Sequence, residues 1–145
     1  MEYLTYSLQE TCDLAHKIAQ KSHPGDIYAL FGQLGSGKTI FAQGFARSLG
    51  VKKTVTSPTF NIFKSYKTKR PDISLNHLDC YRISSFEDAY SIGLPDIISD
   101  KKSISIIEWP EKILGILPEN IIKIKFKYVD QKTRKITIKK TLLSN

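Results

Sequence analysis

The stretch GQLGSGKT, Gly32 to Thr39, constrains the fold more than any other part of the chain. It fits G-x-x-x-x-G-K-[ST] in full, and its surroundings are the required ones. IYALF (Ile27–Phe31) is continuously apolar and reads as a strand buried on both faces. KTIFAQGFARSLG after it resumes a helical pattern that Gly50 can end. A strand, a glycine-rich loop and a helix in this order point backbone amides at nucleotide phosphates, at the positive end of the helix. The expected phosphate-contacting run is therefore Gly32, Gln33, Leu34, Gly35, Ser36, Gly37 and Lys38, closing with Thr39 and Ile40 in the first helical turn. Lys38 is expected to reach the β- and γ-phosphates of ATP, and the Thr39 hydroxyl to ligate Mg²⁺.

Such a loop needs a second metal partner, usually an acidic residue at the end of a neighbouring strand. Two residues qualify: Asp79 ends SLNHLD, and Glu108 ends ISIIE, the better apolar run. A carboxylate there can bind Mg²⁺ directly, bind it through water, or orient the attacking water. SPTF (Ser57–Phe60) follows the first helix after the loop, where a hydroxyl of Thr59 or Ser57 could sense the γ-phosphate. Read from the residues alone, SPTF is otherwise a turn, His77 a packed strand residue and Trp109 a core aromatic.

The rest of the chain fits one α/β domain, residues 1–145. SLQE (Ser7–Glu10) matches a capping box. Leu8, Cys12, Ala15, Ile18 and Ala19 follow at helical spacing, so a first helix is expected from about Leu8 to Lys21. FNIFKSY (Phe60–Tyr66) and ISLNHLDCY (Ile73–Tyr81) flank a polar turn, as in a long hairpin. Ser85 opens a short helix that Gly93 stops, and Pro110 suits the first turn of another after the strand SISIIE (Ser103–Glu108). Two alternating strands, IIKIKFKY and RKITIKK, finish the chain. The predicted fold is a single P-loop NTPase-like domain: a mixed, mainly parallel central sheet flanked by helices, with antiparallel C-terminal strands.

Composition excludes several other classes. The 145 residues are 41% hydrophobic and 25% charged, ordinary for a globular protein. No apolar run approaches the roughly 18–20 residues that span a bilayer. The N-terminus does not read as a signal peptide, so the cytoplasm is the expected location. Cys12 and Cys80 are too few for a metal cluster or a disulfide framework and are expected in the core. Of the net charge of +8, residues 101–145 carry +7, from 11 Lys or Arg against 4 Asp or Glu. That basic third could face RNA or an acidic protein. The alternation of Lys123, Lys125 and Lys127 with apolar residues equally suits the solvent side of a sheet.

Taken together, the motifs form a recognisable set. G-x-L-G-S-G-K-T, S-P-T-F, H-L-D-C-Y-R (His77–Arg82), I-G-L-x-D (Ile92–Asp96) and I-E-W-P-E (Ile107–Glu111) closely resemble the bacterial TsaE family, formerly YjeE, across nearly the whole chain. The resemblance implies a P-loop ATPase that assists threonylcarbamoylation of the adenosine beside the anticodon, in tRNAs reading codons that begin with A. In that family a separate enzyme makes threonylcarbamoyl-adenylate, and the TsaD–TsaB pair transfers the group to tRNA. TsaE binds that pair, and its ATP hydrolysis, weak alone, supports repeated turnover. By the same resemblance Thr39 and Glu108 match Mg²⁺-site positions, and Asp79 the acidic Walker B-like position. Thr59 and Ser57 match the switch region, and Trp109 lies beside the nucleotide. Thr11 and Arg134 match nucleotide-contacting positions. One departure is Gln33, where the family usually has an acidic residue.

Two other functions use the same loop. A small-molecule kinase usually carries a cluster of lid arginines, but Arg47, Arg70, Arg82 and Arg134 form no such cluster in the sequence. A non-hydrolysing module would bind nucleotide only to shape a partner surface, which leaves the paired carboxylates without a role.

Overall fold

A computed structural model describes residues 1–57 and 62–141. The elements in chain order are β1 (Glu2–Thr5), α1 (Leu8–Gln20), β2 (Ile27–Phe31), α2 (Lys38–Ser48), β3 (Phe63–Lys67), β4 (Ser74–Asp79), α3 (Phe86–Ser91), α4 (Leu94–Ser99), β5 (Ser103–Glu108), a 3-10 turn (Pro110–Lys112), β6 (Ile122–Tyr128) and β7 (Arg134–Lys140). The strands form one seven-stranded sheet in the order β1-β7-β6-β2-β5-β4-β3. The pairs β6–β2, β2–β5 and β5–β4 are parallel, while β1–β7, β7–β6 and β4–β3 are antiparallel. The expected mixed sheet, parallel at its centre, is therefore present.

Both faces of β2 are buried, as its unbroken apolar run requires. Tyr28 and Leu30 join the core beneath α1 and α2, with Ile104 and Ile106 of β5. Ile27 and Ala29 join the opposite core, with Ile107, Leu78, residues of α3 and α4, and Ile113 just after the 3-10 turn. Phe41 and Phe45, one turn apart on α2, are fully buried. Tyr28 meets Phe45 edge-on at 4.8 Å between centroids, and Phe126 of β6 meets Phe41 at 5.4 Å. Burial of each such side chain contributes about 1.5–3 kcal/mol. These contacts pin the helix that carries the phosphate loop onto the centre of the sheet.

Capping sets the start of α1: Ser7 Oγ accepts the Glu10 N–H at 3.1 Å, and the Glu10 carboxylate accepts the Tyr6 N–H at 2.7 Å. The helix ends one residue earlier than expected, with Lys21 as its cap. Its inward face is Thr11, Leu14, Ala15 and Ala19. Leu8, the first residue of the helical apolar spacing, is 63% exposed. Cys80 is buried, and Cys12 is only half-buried.

Three features depart from the sequence expectation. β1 was not foreseen; it is four residues long and pairs along β7, Glu2 opposite Thr137 and Thr5 opposite Arg134. Gly93 does not simply stop a helix: it is also the N-cap of α4, a second short helix with Pro95 in its first turn. The hairpin forms, with Phe63 opposite Leu78, but its first strand begins at Phe63. Phe60 and Thr59, where that strand and the switch hydroxyl were expected, lie outside the described residues. Among the described residues no helix is long and apolar enough to cross a membrane.

Candidate nucleotide site

The loop after β2 closes tightly on itself. A Cβ on Gly32 would stand 2.5 Å from Ser36 Oγ and 3.0 Å from the Phe126 carbonyl oxygen, so no side chain fits there. Gly37 caps α2 at φ +106, a conformation glycine adopts without strain. Ser36 N–H donates to the Gln33 carbonyl at 3.1 Å, while Ser36 Oγ is buried without a partner. Gln33 and Leu34 point outward, Leu34 at 89% exposure. Lys38 heads α2 and is itself buried; its Nζ donates to the Gly32 carbonyl and lies 3.7 Å from the centre of the Trp109 ring. Burial pushes the Lys38 ammonium below its usual pKa range, against the opposing pull of Glu108, Glu111 and Asp79.

Sheet register brings the two carboxylates together. Asp79 and Glu108 are direct partners on the parallel strands β4 and β5. Residues two apart on a strand share a face, so both lie on the side of His77 and Ile106, toward α2. Glu108 is almost wholly buried. Its Oε1 accepts the Thr39 hydroxyl at 3.2 Å, and its Oε2 lies 2.7 Å from His77 Nε2. Asp79 Oδ1 accepts the Tyr81 N–H at 3.0 Å. Burial raises the Asp79 pKa above the usual carboxylate range; the Tyr81 N–H opposes this, and the neighbouring Glu108 adds to it.

Trp109 sits at φ +56, one of two non-glycine residues with positive φ among those described. That conformation costs a non-glycine residue about 1–2 kcal/mol. It aims the ring between Lys38 and Tyr81, whose ring centroid is 5.0 Å away. Arg134 of β7 approaches from the other side: one guanidinium nitrogen donates to the Asp130 carbonyl at 2.6 Å and another to the Gly35 carbonyl at 3.3 Å. The same guanidinium lies 4.6 Å over the Tyr128 ring.

A cavity of about 220 Å³ opens among these groups, lined by Leu34, Gly35, Gly37, Lys38, Thr39, Ile40, Ser57, Asp79, Glu108, Trp109 and Arg134. Leu8 lines it too, and no sequence signal marked that residue because its spacing reads as core. Thr11 does not reach the cavity; its hydroxyl is buried and shares a 2.8 Å hydrogen bond with Thr5. Gly32, Gln33 and Ser36 shape the loop without lining the cavity. Thr59 lies outside the described residues. A larger groove, about 570 Å³, runs between α1 and the β1–β7 edge, but the paired carboxylates, Lys38 and the phosphate loop are not in it.

The residues present fit a nucleotide with a divalent cation. The Gly32 cradle has no room for a side chain, Ser36 Oγ is an unused buried polar group, and Lys38 supplies a cation at the same mouth. Among the described residues no three His, Cys, Asp or Glu side chains converge as a cation cage. Thr39 with one or two carboxylates is the partial donor set that suits Mg²⁺, which keeps waters and phosphate oxygens in its shell.

Comparison with known proteins agrees with this architecture. The family model "Threonylcarbamoyl adenosine biosynthesis protein TsaE" matches residues 5–136. A Rickettsia typhi protein named tRNA threonylcarbamoyladenosine biosynthesis protein TsaE is 37% identical, over 92% of this chain and 91% of its own length. The Bacillus subtilis protein of that name is 34% identical, over 94% of this chain and 84% of its own. The crystal structure of Bacillus subtilis YdiB superposes with a TM-score of 0.76 at 30% identity, covering 98% of this chain and 86% of that one. With a family match over most of its length and relatives above 30% identity, the chain belongs to the TsaE family.

Proposed function

We propose that this protein binds ATP with Mg²⁺ and hydrolyses it in support of tRNA threonylcarbamoylation, acting on the TsaD–TsaB pair in the cytoplasm. Family membership supports the place in threonylcarbamoyladenosine biosynthesis. The observation that carries the hydrolytic reading is the junction of Thr39 with Glu108, register partner of Asp79, at the mouth that also holds Lys38. A module that only bound nucleotide would need the loop and the lysine but not two adjacent carboxylates.

In this reading the loop amides and Lys38 hold the β- and γ-phosphates, and Thr39 with Glu108 holds the cation. Mg²⁺ supplies neutralising charge on the phosphate oxygens. Lys38 rests on a carbonyl and an aromatic face, so it can turn to phosphate without breaking an ion pair. Asp79 lends one oxygen to the Tyr81 amide, and its raised pKa suits a group that orients water and takes a proton from it. Trp109 closes the site beside Lys38, and Arg134 braces the loop from the terminal hairpin. Contact between the chain and tRNA is indirect here, through the TsaD–TsaB pair.

The test is tRNA threonylcarbamoylation by TsaD and TsaB, with threonylcarbamoyl-adenylate supplied, followed over several turnovers with and without this protein. Modification is expected to continue with the wild-type chain, and to stall after the first turnover without it or with Glu108→Ala. Equal multi-turnover yields in all three reactions would refute the proposal.

A further inference from the structure

We propose that His77 is a positioning residue of this site: it holds one oxygen of Glu108 so that the other stays at the Thr39 hydroxyl. The inference rests on the metal–nucleotide reading above and deepens it. Three elements meet at one carboxylate. His77 comes from β4, Glu108 from β5, and Thr39 from the first turn of α2. His77 is opposite Ile106 in the parallel register, which places it diagonally behind Glu108 on the shared face. A glutamate carboxylate otherwise turns broadly about its last torsion. Here each oxygen has its own partner, Thr39 at 3.2 Å and His77 at 2.7 Å, so that rotation is stopped.

The surroundings argue against a purely structural role for the ring. Lys64, Asp79 and Glu108 are its charged neighbours on the same face, and the rest of that face is an aliphatic layer of Leu75, Ile104 and Ile106, all fully buried. An aliphatic residue would suit that layer, whereas His77 is 1% exposed and leaves Nδ1 buried with no partner. Buried polar atoms are nearly always bonded, so an unbonded one marks a cost accepted for another purpose. The tautomer that wastes no donor puts the hydrogen on Nε2 and gives it to Glu108. The sequence pattern concealed this, because on its strand His77 reads as an ordinary packed residue.

The experiment compares wild type, His77→Leu and His77→Gln, the glutamine because its amide nitrogen can stand where Nε2 stands. Mn²⁺ is titrated into the ADP complex and free Mn²⁺ is read by electron paramagnetic resonance. ADP binding in EDTA is followed by Trp109 fluorescence, and kcat and KM for ATP are measured. Loss of an outer partner of a metal-holding residue typically weakens metal affinity by about 10- to 100-fold. His77→Leu is expected to lose Mn²⁺ affinity in that range and to lower kcat, with KM and EDTA binding little changed. His77→Gln is expected to recover most of both losses. Should His77→Leu not fold, His77→Asn, whose amide is too short to reach Glu108, takes its place with the same expectation. Unchanged Mn²⁺ affinity and kcat in His77→Leu, or a folded His77→Gln as impaired as the leucine variant, would overturn the inference. A wild-type ADP complex that takes up no Mn²⁺ would overturn the site reading itself, and the inference with it.

Discussion

Asp79 and Glu108 have the same charge, end neighbouring strands and share one face, yet their surroundings differ. Glu108 is held at both oxygens, while Asp79 keeps one oxygen outside any hydrogen bond among the described residues. Burial raises the Asp79 pKa above the ordinary carboxylate value of 3.8, so ionising it disfavours the folded state. The sign follows from linkage: the cost is present at neutral pH and fades as pH falls through the folded pKa toward 3.8. In EDTA, Asp79→Asn is therefore expected to melt above wild type at pH 7, with the gap closing as the pH approaches 4. Asparagine keeps the acceptor for the Tyr81 amide, which isolates the charge. Equal melting at pH 7, or a gap that widens on acidification, would contradict this. Both carboxylates could be read from the sequence because strand ends beside a phosphate loop have a recognised chemistry. His77 could not, since its partner Glu108 lies 31 residues away on another strand, brought near only by the β4–β5 register.

At the scale of elements, α1 and α2 pack so closely that the contact admits only glycine. A Cβ on Gly44 would lie 2.9 Å from both the Cα and the carbonyl oxygen of Cys12. Neither backbone atom can swing aside as a side chain could. Gly44→Ala gains about 1 kcal/mol in helix propensity, but overpacking costs about 1–3 kcal/mol. A net loss of about 1 kcal/mol, read by urea denaturation, is expected; a stabilised variant would show that the helices part easily. The terminal hairpin carries a different tension. Lys123 faces Lys139 and Lys127 faces Lys135 across β6 and β7, and like charges directly opposite are unfavourable. Lys127→Glu is expected to stabilise the fold by about 0.2–1 kcal/mol, a gain that shrinks in about 1 M salt. No gain at low salt would mean that the ion pair of Lys135 with Glu2, at 3.3 Å, already offsets the repulsion. The alternation of this hairpin was plain in the sequence, because period-two patterning needs no tertiary information. β1 and α4 were not: four residues hold too few periods to read, and α4 lacks the side-chain cap that Ser85 gives the equally short α3.

For the whole molecule, the order of strands was the least legible feature. IIKIKFKY looks like one half of a terminal hairpin, and it is, paired with β7. Its other edge runs parallel to β2 at the centre of the sheet, 95 residues away in sequence from Ile27 to Ile122. Local pattern cannot encode that neighbour. Its consequence is functional: Phe126 of β6 packs against Phe41 and walls the Gly32 cradle, while Arg134 of β7 reaches Gly35. The hairpin that carries much of the positive charge thus forms one wall of the glycine-rich loop. The strand, glycine-rich loop and helix from β2 to α2 were legible as elements, and the family resemblance carried by SPTF, HLDCYR and IEWPE agrees with the family match. Steady-state phosphate release from ATP, measured for this chain alone and again with TsaD and TsaB, decides whether the chain is a partner-dependent ATPase. Slow release alone, a clear rise with the pair, and loss of that rise in Glu108→Ala are expected. Release that TsaD and TsaB leave unchanged, in a mixture competent for threonylcarbamoylation, would contradict this.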